Sequence, residues 1–246
     1  MFLGCGNVKD KKIIIIVVGI IVLISLAACL FFLFKNGDSD AIKFKNEYES
    51  LNNTIREKDG KKIRSIEISK NNPMIYSSDD EIVKMIENKE TFLVYFGFAD
   101  CPWCRSVLPN LLDASLDLGL DKIYYVDVKE IRDIIEFKDG EMRTTKEGTD
   151  GYYKLLELLS DSLDDYTILD EDDKEISTGE KRIFAPNVVA IVDGKVEKMT
   201  DGISEKQSDG YMELTDEMNE ESYNEFKCVI KCVTDSKQIC SKEKAC

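Results

Sequence analysis

Two cysteines separated by two residues, Cys101-Pro102-Trp103-Cys104, stand between the apolar run Thr91–Phe98 and a stretch with helical spacing. At a strand-to-helix turn, sulfurs so spaced share the first helical turn and can close a small disulfide ring. The first sits where unpaired N–H groups and the positive end of the helix dipole favour a thiolate. The chemistry this spacing offers is thiol-disulfide exchange. Cys101 as thiolate attacks a disulfide, a mixed disulfide forms, and Cys104 displaces it; in reverse, the oxidised pair accepts electrons from thiols. A bare C-x-x-C also fits half a zinc site or a permanent structural bond. The chain contains no histidine, which removes Cys-His hydrolysis, histidine general-base catalysis and a Cys-His zinc site together. Asp100, directly before Cys101, is expected to oppose the thiolate. Trp103 offers a flat apolar surface beside the sulfur.

The elements around the motif sharpen the reading. Pro109 falls inside the helical pattern Val107, Leu108, Leu111, Leu112, where a proline costs about 3 kcal/mol and so asks for a reason. Pro186 opens Asn187–Val192, and Asp193-Gly194 then separates it from a second strand from Lys195, ahead of Gly202. Cys101, Cys104, Pro109, Pro186, Gly194 and Gly202 together resemble the thioredoxin-like superfamily over about residues 60 to 203, with the bacteriocin transport accessory group of Gram-positive bacteria as the nearest likeness. That resemblance implies an α/β fold with a central mixed sheet flanked by helices, and a cofactor-free thiol-disulfide oxidoreductase. It also implies a cis bond at Pro186 that presents the Ala185 backbone to an extended client strand. Its partners would be protein or peptide thiols and disulfides and a redox partner. In three places the chain departs from the family. Tyr95 stands where the family has a buried acid, so the proton of the resolving cysteine must use another group or water. The Pro-Trp dipeptide leaves the redox direction open, and the insertion 129–182 is longer than the fold needs.

Phe44, Tyr48, Leu51 and Ile55 predict an amphipathic helix from Ala41 that ends near Asp59-Gly60, and Ile63, Ile66 and Ile68 a first strand. Ser77-Ser78-Asp-Asp-Glu caps a helix with apolar face Ile82, Val83 and Ile86. A central strand over 91–98, a helix over 101–118 and a strand over 122–127 follow. Within the insertion, 138–141 and 144–150 read as polar loop and Tyr152, Leu155, Leu156, Leu159 and Leu163 as a helix stripe. Residues 164–180 hold eight acids. Lacking the Asp-x-Asp-x-Asp-Gly pattern with a distal Glu, they read as a solvated loop with no metal.

Ile13–Phe34 is a 22-residue apolar run without charge, long enough at about 1.5 Å per residue to cross a hydrocarbon core of about 30 Å. Lys9, Lys11 and Lys12 precede it, while Asp38 and Asp40 soon follow, which places residues 1–12 in the cytoplasm and the remainder outside. Leu26-Ala-Ala-Cys29 allows a second reading, a lipoprotein anchored through Cys29, although Leu30–Phe34 continues the apolar run past that point. The expected organisation is a single-pass anchor at 13–34, a linker and helix over 35–60, the thioredoxin-like domain over 61–204, and a helix with a Cys-rich tail over 205–246. A net charge of −15 repels phosphate backbones and argues against nucleic acid. Cys228, Cys232, Cys240 and Cys246 are candidates for two structural disulfides in any of three pairings; a zinc site would lack short Cys-x-x-Cys arms. A non-catalytic accessory module that binds an exported peptide or a transporter is the alternative function. Protease added to intact cells is expected to remove everything after Lys35; a protected C-terminal domain would contradict this orientation.

Overall fold

The computed structural model describes residues 18–19 and 39–235. Of the apolar run only Val18 and Gly19 are described, and Cys29, Cys240 and Cys246 lie outside the described residues. Among the described residues no helix is long and apolar enough to cross a membrane. The chain divides into two units at Ser39/Asp40, and the sheet with the helices that flank it belongs to the second.

Helix α1 (Asp40–Glu49) is followed by β1 (Met74–Tyr76), α2 (Asp79–Glu87), β2 (Phe92–Gly97), α3 (Pro102–Asp117) and β3 (Ile123–Asp127). A single turn, α4 (Val128–Ile131), leads into a hairpin of β4 (Ile134–Lys138) and β5 (Glu141–Lys146). After α5 (Asp150–Leu159) comes a second hairpin, β6 (Asp164–Leu169) and β7 (Glu175–Arg182). Strands β8 (Asn187–Val192) and β9 (Lys195–Thr200) precede the long α6 (Asp216–Thr234).

The result is a mixed α/β fold whose five-stranded sheet has the order β1-β3-β2-β8-β9. β2 runs parallel to β3 and antiparallel to β8. It is buried along its whole length, as a central strand covered on both faces must be. Its side chains alternate with the period of two: Leu93 and Tyr95 join a core with α1, α3 and α6, whereas Phe92, Val94 and Phe96 join a second core with α2 and α5. Ser78 and Glu81 form a reciprocal capping box at the start of α2, worth about 1 kcal/mol. The Asp193-Gly194 turn takes positive φ at both residues, as a two-residue hairpin requires.

Several expected elements differ. α1 stops at Glu49, because the chain turns through Asn53 at φ 63°, a conformation asparagine tolerates. Ile63, Ile66 and Ile68 are buried but form no strand. Side chains replace a ladder there: Asn52 bonds both the N–H and the carbonyl of Ile66, and Glu49 accepts from the Ile68 N–H. The sheet position goes instead to Met74–Tyr76, parallel to β3. The expected loops of the insertion are two hairpins. Asp139-Gly140 is a positive-φ turn like that at 193–194, and the acids of 164–180 largely lie on β6, β7 and their turn. Asp170 Oδ1 accepts from the Asp172 and Lys174 N–H groups, so its carboxylate shapes that turn. Arg182 bonds the Asp133 carboxylate and carbonyl at 3.0 and 3.1 Å, both side chains being nearly buried, and thereby ties the two hairpins together.

At Gly202, φ is +67° and an added Cβ would lie 2.1 Å from the Phe226 ring of α6. Gly202→Ala is expected to lower the unfolding free energy by about 2 to 4 kcal/mol, as backbone strain and overpacking add. An unchanged denaturant midpoint would show that α6 moves aside freely.

Candidate functional site

β2 ends at Gly97, and the chain passes Phe98, Ala99 and Asp100 before α3 begins with Cys101 as its N-cap. The Cys101 sulfur accepts the Cys104 backbone N–H at 3.2 Å, the bond an N-cap serine or aspartate would usually make. Pro102 occupies the first turn, where no N–H is needed, and Pro109 sits inside the helix. The Ala185–Pro186 bond is cis, and Cys101 Sγ–H donates to the Ala185 carbonyl at 3.4 Å. Three of the residues singled out from sequence, Cys101, Cys104 and Ala185, thus meet at one end of the sheet. Trp103 is half-buried, and Gly210 is packed so closely on it that an added Cβ would lie 2.9 Å from the Trp103 backbone nitrogen and 3.0 Å from Pro102 Cβ.

The two sulfurs differ electrostatically. Burial alone pushes the Cys101 thiol up. The Cys104 side chain, the N–H groups of Cys104 and Trp103 and the charge of Arg132 outweigh it, so Cys101 lies below the usual cysteine range. Cys104 is pushed well above that range by burial and then by Cys101 itself. Exchange chemistry uses this asymmetry: one sulfur ionises readily, and its neighbour stays protonated until needed. Asp100, expected from its sequence position to oppose the thiolate, has its carboxylate bonded by Lys129 Nζ at 2.9 and 3.0 Å and facing Arg56 Nε at 3.6 Å, so two cations stand against its charge.

Sequence reasoning missed two further parts of the site. Arg132, whose guanidinium rests 5.1 Å from the Phe98 ring centroid, carries no local motif and reaches the site only because α4 turns back beside β2. An open groove of ≈ 1210 Å³ begins at Phe98 and Asp100 and is bounded by Ile55, Arg56, Arg132 and Phe184. Ile55 and Phe184 are 59% and 37% exposed. The loop over 203–214 is the second part. Gln207 Nε2 donates to Ser106 Oγ at 3.0 Å on α3, and Arg64 holds Glu213 and the Tyr211 and Met212 carbonyls.

Cys228 and Cys232 lie on α6, buried, with the Cys232 sulfur 3.4 Å from the Cys228 carbonyl. α6 runs parallel to α3, since Asn219 meets Asn110 and Tyr223 meets Asp117. Both tail-side cysteines therefore sit toward the end of α3 remote from Cys101, about 24 Å along a helix of 16 residues. Compared with known proteins, the chain matches no family model, no curated protein and no solved structure.

Arg132→Gln is expected to shift the pH midpoint of Cys101 alkylation upward and to slow alkylation near neutral pH about threefold, with the high-pH limiting rate unchanged. A midpoint that does not move would remove Arg132 from the site's electrostatics.

Proposed function

We propose that the protein is a thioredoxin-like thiol-disulfide oxidoreductase, anchored in the membrane with its catalytic domain on the outer side, and that it exchanges disulfides with protein or peptide clients through Cys101 and Cys104 without a cofactor. One observation carries this reading. The Cys101 sulfur is held at a helix N-terminus by the Cys104 N–H and faces the backbone of a cis Ala185–Pro186 bond. A permanent staple needs neither a depressed thiol nor that backbone beside it.

In the proposed reaction the Cys101 thiolate attacks one sulfur of a client disulfide, and the departing client sulfur takes a proton. Cys104 then attacks the Cys101 sulfur, releasing the second client thiol and leaving the enzyme's disulfide; two electrons pass from enzyme to client. Oxidation of clients is the same sequence reversed. Trp103, two residues after Cys101, and Phe184, directly before Ala185, offer apolar contact, and the Ala185 carbonyl, which takes the Cys101 S–H at 3.4 Å, would accept an N–H from an extended client once the thiolate has formed. The accessory-module reading draws on a different observation: Cys101 is only 3% exposed, so a client must displace part of the rim before it can react. The four cysteines at 228, 232, 240 and 246 are assigned to structural disulfides in this scheme, with Cys29 as the lipid-bearing residue should the anchor be cleaved.

Cys104→Ser in the full chain is expected to leave attack intact and block resolution, so that disulfide-linked clients accumulate and disappear on reduction. Cys101→Ser should capture none. A Cys104→Ser protein with no linked partner, whose Cys101 alkylates no faster than an ordinary thiol, would favour the accessory module.

A further inference from the structure

Cys104 is fully buried, and the polar groups facing it differ from the carboxylate that the resembling family places there. From its own helix comes Cys101; from β2 comes Tyr95, 1% exposed; from α1 comes Tyr48, wholly buried. The Tyr48 and Tyr95 hydroxyls lie 3.2 Å apart. Behind them Tyr125 of β3 stacks on Tyr95 at 5.7 Å and donates to Glu47 Oε1 at 3.0 Å, while Arg105 lies 5.8 Å from the Tyr48 ring centroid. Burial raises both Tyr48 and Tyr95 well above the usual phenol range, so these hydroxyls stay protonated and act as donors.

We propose that the Tyr95–Tyr48 hydroxyl pair replaces a buried acid as the positioning group for the resolving sulfur, with Tyr95 donating to Cys104 as it ionises and Tyr48 orienting Tyr95. The inference rests on the exchange reaction proposed above. A carboxylate at this place takes a proton but adds a negative charge next to the forming thiolate. A neutral hydroxyl adds none and strengthens its hydrogen bond as the sulfur gains charge. The proton of Cys104 passes to the departing client thiolate, so that the mixed disulfide and the Cys104 thiol become the Cys101–Cys104 disulfide and a free client thiol. No oxidant beyond the client disulfide is needed. The arrangement also makes α1 part of the site, although α1 precedes the region in which the chain resembles the family.

The test uses the reduced full chain and glutathione disulfide as probe, with acid quenching and mass mapping of the tryptic peptide Glu90–Arg105, which holds both cysteines. The glutathione adduct and the internal disulfide then read the two steps separately. In Tyr95→Phe the adduct should form at the parent rate. Its conversion to the internal disulfide should slow about tenfold near neutral pH, with the pH midpoint of that step raised by about one unit. Tyr48→Phe keeps the Tyr95 hydroxyl and should slow conversion only about two- to threefold, a partial loss of one hydrogen bond. A conversion profile in Tyr95→Phe that superimposes on the parent overturns the proposal, as does equal slowing of both steps in both variants. If the parent chain forms no adduct at Cys101, the exchange reaction itself is wrong, a result distinct from either.

Discussion

A single buried guanidinium joins the parts of this molecule that sequence distance keeps apart. Arg105, one residue after the motif, is 1% exposed, and it donates to the carbonyls of Arg64, Tyr48 and Ala99 and to Asn52 Oδ1 at 2.6 to 3.0 Å. Burial lowers its pKa from the usual arginine value, but no facing carboxylate is needed, because neutral acceptors satisfy the fork. Burying a cation this way is costly unless nearly every donor is paired. Hence the segment over 48–66 cannot lift away from α3 without stranding a charge in the core. Through this clamp α1, the wrap after it and the start of α3 form one body.

That constraint explains why the site has the composition it does. With Tyr48 fixed by its own carbonyl, its hydroxyl meets Tyr95 in the middle of the central strand. The wrap continues through Arg64, which holds the Tyr211 and Met212 carbonyls and so keeps Gly210 against Pro102 and Trp103. On the other flank Lys129 neutralises Asp100, and Arg132 brings positive charge toward Cys101. The C-x-x-C motif is thus set between the N-terminal wrap and the segment 129–182, and both contribute groups to the groove beside it.

Much of this was legible in the sequence. The C-x-x-C spacing, the apolar run before it and Pro186 before an Asp-Gly hairpin located both halves of the site, because each depends on local backbone rules. The insertion was harder for a physical reason. Asp139-Gly140 carries the same turn signal as Asp193-Gly194, but of its flanking strands β4 is only half-buried on one face and β5 is exposed up to Lys146, so no clear alternation marks them. Ile63, Ile66 and Ile68 were misleading in the opposite way: they are buried by wrapping and by side-chain bonds to Asn52 and Glu49, which no periodicity reports. Tyr48 looked like any apolar-stripe residue, and only the tertiary fold reveals that its hydroxyl reaches the site.

The central claim is that Cys101 and Cys104 form a reversible redox pair. Trp103, the only tryptophan of the chain, lies between them, so its fluorescence can follow the pair through a series of glutathione and dithiothreitol buffers. A reversible pair predicts one two-electron transition, with a tenfold change in ratio per about 30 mV, at a potential between about −120 and −300 mV. A signal and a thiol count that stay constant across that whole range would mark the pair as a permanent fixture and contradict the exchange mechanism.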